Sequence, residues 1–312
     1  EDLLYQQSSL RMRMWGVAIS VAVLGSFSLI AAGLLPAEKT LYLGMTWSPL
    51  ASVLGGLMFG YGMALAGNCG FGALARLGGG DLRSFVIVVV MGLAAYTTLS
   101  GPLAPLRVWM FPMDAASDPT GLAHLAGRSF GLAPHVIGMA VGAIALLALL
   151  ASPVWREKPM SLFWAACVGL AEVSGWAGTA LIAEAGLDAI PLSSHSFSAP
   201  IGETMLFAMT STGGSLSFGI GSVAGVWLGA FIGSLYKGHF RWEACDDPRE
   251  LRRQIFGASL MGVGAVIAIG CTIGQGISAF SLLSYGAPVT FAAILGGAAI
   301  GLRQLIEGFA PV

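Results

Sequence analysis

Charge is what this sequence lacks. Its 312 residues include 15 lysines and arginines and 16 acidic residues, 10% charged in all. A soluble domain carries about 25%. With 56% hydrophobic residues and a mean hydropathy of +0.80, the chain cannot cover a water-facing surface. Disorder is excluded on the same ground. Cysteine is scarce too: four residues with no CxxC spacing exclude a disulfide-stapled scaffold and give no redox pair or metal centre. The net charge of −1 offers no footing for a nucleic acid. Alternating ten-residue segments are missing, which excludes a β-barrel. No signal peptide is visible.

Long apolar runs are what remains. Charge-free stretches cover 14–37, 40–75, 84–106, 129–155, 204–236 and 254–302. Crossing a bilayer takes roughly 20 apolar residues, so 40–75 and 254–302 are long enough for more than one helix. The longest polar stretches are 111–130 and 237–253. The expected fold is an all-α polytopic membrane protein. Its 45 glycines permit close helix packing and unwound turns within the membrane.

The chain repeats itself. Residues 57–75 read LMFGYGMALAGNCGFGALA and residues 259–277 read SLMGVGAVIAIGCTIGQGI. An offset of 202 aligns Gly60 with Gly262, Gly62 with Gly264, Ala66 with Ala268, Cys69 with Cys271 and Gly72 with Gly274. The same offset lays 14–35 over 216–237. Residues 1–150 and 151–312 are read as two half repeats. Arg11 and Arg13 precede the first span, whereas Lys237, Arg241, Arg249, Arg252 and Arg253 follow its counterpart. Positive residues favour the cytoplasm, so the halves are expected to be inverted, as is common in transporters. Residues 160–202 have no partner within the chain at this offset. The expectation is that about 40–60 residues, with at least one membrane helix, precede Glu1.

Each cysteine sits where glycines interrupt an apolar run. Gly67-Asn68-Cys69-Gly70-Phe71-Gly72 should end one half-helix near Ala66 and start another near residue 72. Gly270-Cys271-Thr272-Ile273-Gly274 repeats the break. Irregular backbone survives in a membrane only when buried in protein or lining a cavity. Two such breaks, one per half, are expected to meet near the midplane. There the N-termini of the short helices offer N–H groups to an anion, and neither turn holds a lysine or arginine. A thiol is a weak, soft donor, suited to a sulfur-containing solute. The candidate binding residues are Cys69, Cys271, Asn68, Gly70, Gly72, Gly270, Thr272 and Gly274. A lone membrane cysteine is usually packing, the reading given to Cys167. Cys245, in the polar stretch, is read as a free cytosolic thiol. Glu172, Glu184 and Glu203 are read as helix-start residues, and His124 and His135 as interfacial loop residues. Trp15, Trp47, Trp109, Trp155, Trp176 and Trp242 are read mostly as interfacial anchors.

Segments 56–96 and 258–301, with Leu10–Gly25, resemble the YeeE/YedE sulphur-transport family. That resemblance implies a bacterial inner-membrane importer of thiosulfate or a related sulfur compound. It also implies an hourglass-like inverted-repeat fold, whose cysteines pass the anion's terminal sulfur along through S–H···S hydrogen bonds. By motif these are Cys69 and Cys271. The family's further Phe-Cys helix near the N-terminus has no counterpart in residues 1–30. The implied partners are the sulfur anion, the lipid bilayer and a cytosolic sulfur-accepting protein, with no cofactor. Two rivals stand beside this permease. One is a membrane thiol enzyme holding persulfide sulfur; the lack of a basic residue or histidine beside either cysteine opposes it. The other is a non-specific channel of the same architecture, which would conduct without saturation.

Overall fold

A computed structural model describes residues 9–186, 191–244 and 247–307; Cys245 lies outside them. Among the described residues the structure is helical, with four isolated β-bridges and no longer strand. The helices are α1 (Leu10–Ala31), α2 (Leu41–Gly44), α3 (Pro49–Ala66), α4 (Gly70–Gly78), α5 (Leu82–Leu99), α6 (Ala104–Met110) and α7 (Leu122–Phe130). They continue as α8 (Pro134–Leu150), α9 (Val154–Glu157), α10 (Pro159–Ala185), α11 (Ser198–Thr210), α12 (Phe218–Tyr236), α13 (Pro248–Ile267) and α14 (Gly286–Glu307). A π-helical segment, Gly274–Ala279, precedes α14.

Six spans among the described residues are long and apolar enough to cross a membrane: α1, α3 with α4, α5, α10, α12 and α14. A seventh arises if α7 and α8, bent by 116°, count as one. The protein is therefore an all-α polytopic membrane protein. Helix α13 is missing from that set because charged residues crowd its first turns, from Arg249 to Arg253.

The chain forms two compact units, each drawn from three separate stretches. The first holds residues 1–47, 113–195 and 275–288. In it α1 packs on α8 and α10. Small residues let these helices close: a Cβ on Gly138 would stand 2.3 Å from the Phe27 ring, and one on Gly169 would stand 2.6 Å from the Ala18 carbonyl. Leu35, Leu43, Trp176, Leu192 and Leu282 form one core cluster. Trp176 is no interfacial anchor: it is fully buried, and its indole N–H donates to Ser281 Oγ at 3.0 Å.

The acidic residues also depart from expectation. Neither α10 nor α11 has an acidic residue in its first turn. Glu172 lies mid-helix at 2% exposure, Glu184 in the exposed last turn of α10, and Glu203 inside α11, where it accepts from Ser217 Oγ at 3.2 Å. His124 and His135 sit in α7 and at the start of α8 rather than in a loop. Leu122, Ala123, Leu125 and Ala126 give α7 enough apolar surface to fold within a stretch that reads as polar.

The second unit holds residues 48–112, 196–274 and 289–312. Its centre is the crossing of α13 with α3 and α5. The repeated glycines make that crossing. A Cβ on Gly264 would lie 2.6 Å from the Phe59 nitrogen, and one on Gly62 would lie 2.5 Å from the Gly257 carbonyl. Gly262 meets the Met91 carbonyl of α5 in the same way, at 2.5 Å. Asp81 caps α5, accepting from the N–H groups of Arg83 and Ser84 at 3.0 and 3.4 Å and from the Ser84 hydroxyl at 2.9 Å. Losing such a cap removes about 0.5–2 kcal/mol. Asp81→Ala is expected to fall in the upper half of that range, read as thermal stability in detergent; an unchanged melting temperature would contradict the capping role.

Candidate functional site: two broken cysteine turns

Helix α3 stops where the sequence indicates. Gly67 adopts a left-handed φ of +78°, and its N–H returns to the carbonyls of Met63 and Ala64 at 3.0 and 3.3 Å. A left-handed residue past the last turn is a common helix stop, and glycine adopts it without a Cβ clash. Cys69 then caps α4, which starts at Gly70 and not near residue 72. Its sulfur accepts the Gly72 N–H at 3.4 Å, and the Phe71 N–H also faces it.

The second break repeats this geometry. Helix α13 ends at Ile267, and Ile269 takes the left-handed place that Gly67 holds in the first copy, with φ +57°. A β-branched residue there is strained by about 1–3 kcal/mol, and such strain gathers at functional sites. Gly270 follows at φ +154°, a value that favours glycine. The Cys271 sulfur then accepts the Gly274 N–H at 3.5 Å. In both copies, then, a thiol sulfur takes the N–H of the glycine three residues on. With its sulfur engaged as acceptor, each thiol can direct its own proton elsewhere.

Both breaks belong to the second unit, and they meet. Cys69 and Cys271 are close enough to interact electrostatically, and the Thr272 hydroxyl lies beside the Cys69 thiol. The Ser196 hydroxyl is 3.9 Å from the Cys271 sulfur. Cys271 is 1% exposed, whereas Cys69 is partly open. Phe71 packs on buried Phe197 with ring centroids 5.1 Å apart. Two buried hydroxyls, those of Thr272 and Ser198, make no well-formed hydrogen bond among the described residues. Buried polar groups are nearly always satisfied, so unspent hydroxyl capacity beside a thiol suits a transient polar ligand.

Not every candidate residue faces this meeting point. Oriented to satisfy its neighbours, the Asn68 amide oxygen accepts from Arg76 Nη1 and Nε at 2.9 and 3.3 Å, and its nitrogen donates to the Gly67 carbonyl. Gly70 sits under the Met91 side chain, where a Cβ would come within 2.8 Å of the sulfur. Gly72 and Gly274 contribute their N–H groups to the cysteines, and Gly270 contributes backbone shape. Sequence reasoning missed Ser196 and Arg76. Arg76 lies seven residues beyond Cys69 and folds back along one helical face; Ser196 comes from a distant segment that no local pattern marks. Cys167 is a free thiol within α10, apart from both turns in the chain.

Comparison with known proteins adds to this geometry. The thiosulfate transporter TsuA of Escherichia coli (strain K12) is 27% identical over 310 residues, covering 86% of this chain and 77% of that protein. TsuA of Spirochaeta thermophila is 28% identical over 254 residues, covering 78% and 74%. The sulphur transport family matches residues 1–300, a range that takes in both cysteine turns and the helices that hold them, and the chain belongs to that family.

Proposed function

We propose that this chain is a permease that imports thiosulfate, or a closely related sulfur anion, across the bacterial inner membrane. The observation that carries this reading is the pair of matched thiol caps, Cys69 with Gly72 and Cys271 with Gly274, brought together in one unit. The similarity to two thiosulfate transporters supports the substrate.

The chemistry follows from the substrate's two ends. Thiosulfate carries a soft terminal sulfur and a harder group of three oxygens. A thiol proton suits the first. The hydroxyls of Thr272 and Ser196 suit the second, as donors to oxygen. Neither turn contributes a lysine or arginine of its own, and the Arg76 guanidinium is engaged by Asn68, so binding stays weak enough for the anion to leave, and passage runs from one cysteine to the other. Moving a dianion inward against 100 mV, interior negative, opposes transport by about 5 kcal/mol, at roughly 2.3 kcal/mol per charge. The residues offer nothing to activate a thiolate strongly, which favours carriage of the anion over persulfide chemistry. A cytosolic sulfur-accepting protein is the partner that would draw the product onward.

The half-repeat organisation, 1–150 and 151–312, is part of this proposal. At the offset of 202, α1 falls on α12, α3 on α13, α4 on the π-helical segment and α5 on α14. The packing supports it as well: Gly60 abuts α14 while its counterpart Gly262 abuts α5.

The test is growth of a bacterium lacking sulfur-anion transporters, with thiosulfate as sole sulfur source. The chain should restore growth on thiosulfate; no restoration by a folded, membrane-inserted protein would overturn the reading. Thr272→Val probes the site separately. Valine keeps the shape and removes a hydroxyl without a well-formed bond, so stability should hold or rise. Uptake should fall about tenfold, the effect of losing roughly 1.4 kcal/mol of binding. Unchanged uptake would remove Thr272 from the site.

A further inference from the structure

One buried acid is left over by the cysteine relay. Glu172 lies in the middle of α10, a membrane-spanning helix, at 2% exposure. The hydroxyls of Ser194 and Ser278 and the backbone N–H of His195 lie against its carboxyl group. Its Oε1 has no hydrogen-bond partner among the described residues. An ionisable side chain inside a membrane is a functional candidate by default. Those three groups leave Oε1 unserved, and a purely structural brace explains the carboxyl poorly, because glutamine could fill that role without a titratable proton.

Among the described residues no cation answers it. Glu172 lies beside the face of α10 where Gly169 meets Ala18 and Val21 of α1 and Val173 meets Gly25. Residues 18–25 of α1 include no titratable group; Arg11 and Arg13 lie in its first turn. Residues 274–284 contain none. On α10 itself, Lys158 at the N-cap and Glu184 in the last turn lie about 20 Å along the axis, at roughly 1.5 Å per residue, and Arg156 and Glu157 of α9 come before Lys158 in the chain. Glu38 and Lys39, on the turn next to the Trp176 cluster, are exposed. That leaves His195, whose Nε2 is 3.2 Å from the Ala171 carbonyl. Burial holds its imidazole below the ordinary value, so it is neutral at pH 7.

The groups around Glu172 form a clasp on two chain segments. Ser194 Oγ donates to the Glu172 backbone carbonyl at 2.7 Å, and Thr179 Oγ1 donates to the Ser193 carbonyl at 2.8 Å. Ser278 Oγ donates to the His195 carbonyl at 2.7 Å. The first segment continues directly into Ser196; the second begins with Gly274, the glycine whose N–H caps Cys271. A change of charge on Glu172 would therefore act on both.

We propose that Glu172 is a proton-binding site of the transport cycle, taking one proton from the outer side and releasing it inside as the sulfur anion moves inward. This rests on the thiosulfate reading above. One proton per turnover lowers the net charge carried with a dianion from two to one. The carboxyl ends each cycle ionised as it began, so protons balance.

The experiment uses the full chain in liposomes with an internal pH dye and external labelled thiosulfate. The native protein should acidify the interior when thiosulfate is added. Glu172→Gln should lose that acidification and slow net uptake at least about tenfold, while exchanging labelled thiosulfate across the membrane at a reduced rate. Acidification of native size in Glu172→Gln would overturn the proposal. So would thiosulfate uptake without proton movement in the native protein. Native liposomes that exchange no thiosulfate would overturn the substrate reading itself, and this proposal with it. Ser278→Ala gives a second, milder test that does not depend on the folding of Glu172→Gln. It removes a hydroxyl from the carboxyl and should move the midpoint of the pH profile of uptake by roughly half a unit or more; an unmoved midpoint would count against a titrating Glu172.

Discussion

Cys271→Ala should lower thiosulfate uptake by about ten- to a hundredfold without unfolding the protein. The change removes a donor worth roughly 1–3 kcal/mol to a buried anion. Cys271 is 1% exposed and beside Ser196, and its sulfur already takes the Gly274 N–H. Little room exists for water to replace it. Cys69→Ala should act in the same direction. Cys271→Ser keeps a donor of nearly the right length but loses the soft sulfur, so it should also impair uptake. Cys245→Ala should be near neutral, since that residue belongs to the polar stretch and has no repeat partner. Uptake is measured in cells with the amount of membrane-inserted protein checked by blot. Native rates in both alanine variants would make the cysteines packing residues, with the anion held by N–H groups and hydroxyls alone.

Gly60→Ala should be the most damaging of the small substitutions to the fold. A Cβ there would stand 1.9 Å from the Ile294 carbonyl and 2.8 Å from the Ala298 nitrogen. Both are backbone atoms of α14, so no rotamer change relieves the clash. Facing it, a Cβ on Gly297 would stand 2.2 Å from the Leu57 carbonyl of α3. The helices would have to part by about 1 Å or more, and forced overpacking costs about 1–3 kcal/mol or more. The expected loss is at the upper end, roughly 3 kcal/mol, read as thermal unfolding of detergent-solubilised protein. Gly225→Ala on α12 is the control. Among the described residues nothing lies within 4 Å of its added Cβ, and alanine is the better helix former, so stability should hold or rise slightly. Equal stability of Gly60→Ala and the native chain would show that α3 and α14 do not pack this closely.

The residues that could be read from sequence are those whose role is local. Gly67 and its neighbours announce the end of α3, and Ala66 is indeed its last residue. The offset of 202 singles out Cys69, Cys271, Gly72 and Gly274 from the sequence alone, and the Cys–Gly cap spacing is the same in both copies. Low charge and long apolar runs were enough for a polytopic helical fold. What escaped depends on tertiary packing. Ile269 gives no sign in sequence of a left-handed turn, because a β-branched residue rarely adopts that conformation. Trp176 resembles an interfacial tryptophan until Leu35, Leu43 and Leu282 close over it. Glu172 resembles a helix-start acid because Glu172, Glu184 and Asp188 break the apolar run after residue 159 and suggest shorter helices than the 27 residues of α10. Helix α13 carries its charges at one end, so a hydropathy test passes over the helix at the centre of its unit.

Discrimination between thiosulfate and sulfate by purified protein in liposomes tests the central claim most directly. The two anions share charge and overall shape, and sulfate carries an oxygen in place of the outer sulfur. If the paired thiols at Cys69 and Cys271 recognise that sulfur, the native protein takes up thiosulfate with saturation and carries sulfate at least about tenfold more slowly, a difference of roughly 1.4 kcal/mol. Cys271→Ser should erase most of that preference. Equal uptake of the two anions by the native protein, or a preference that survives Cys271→Ser intact, would contradict a thiol-based selection.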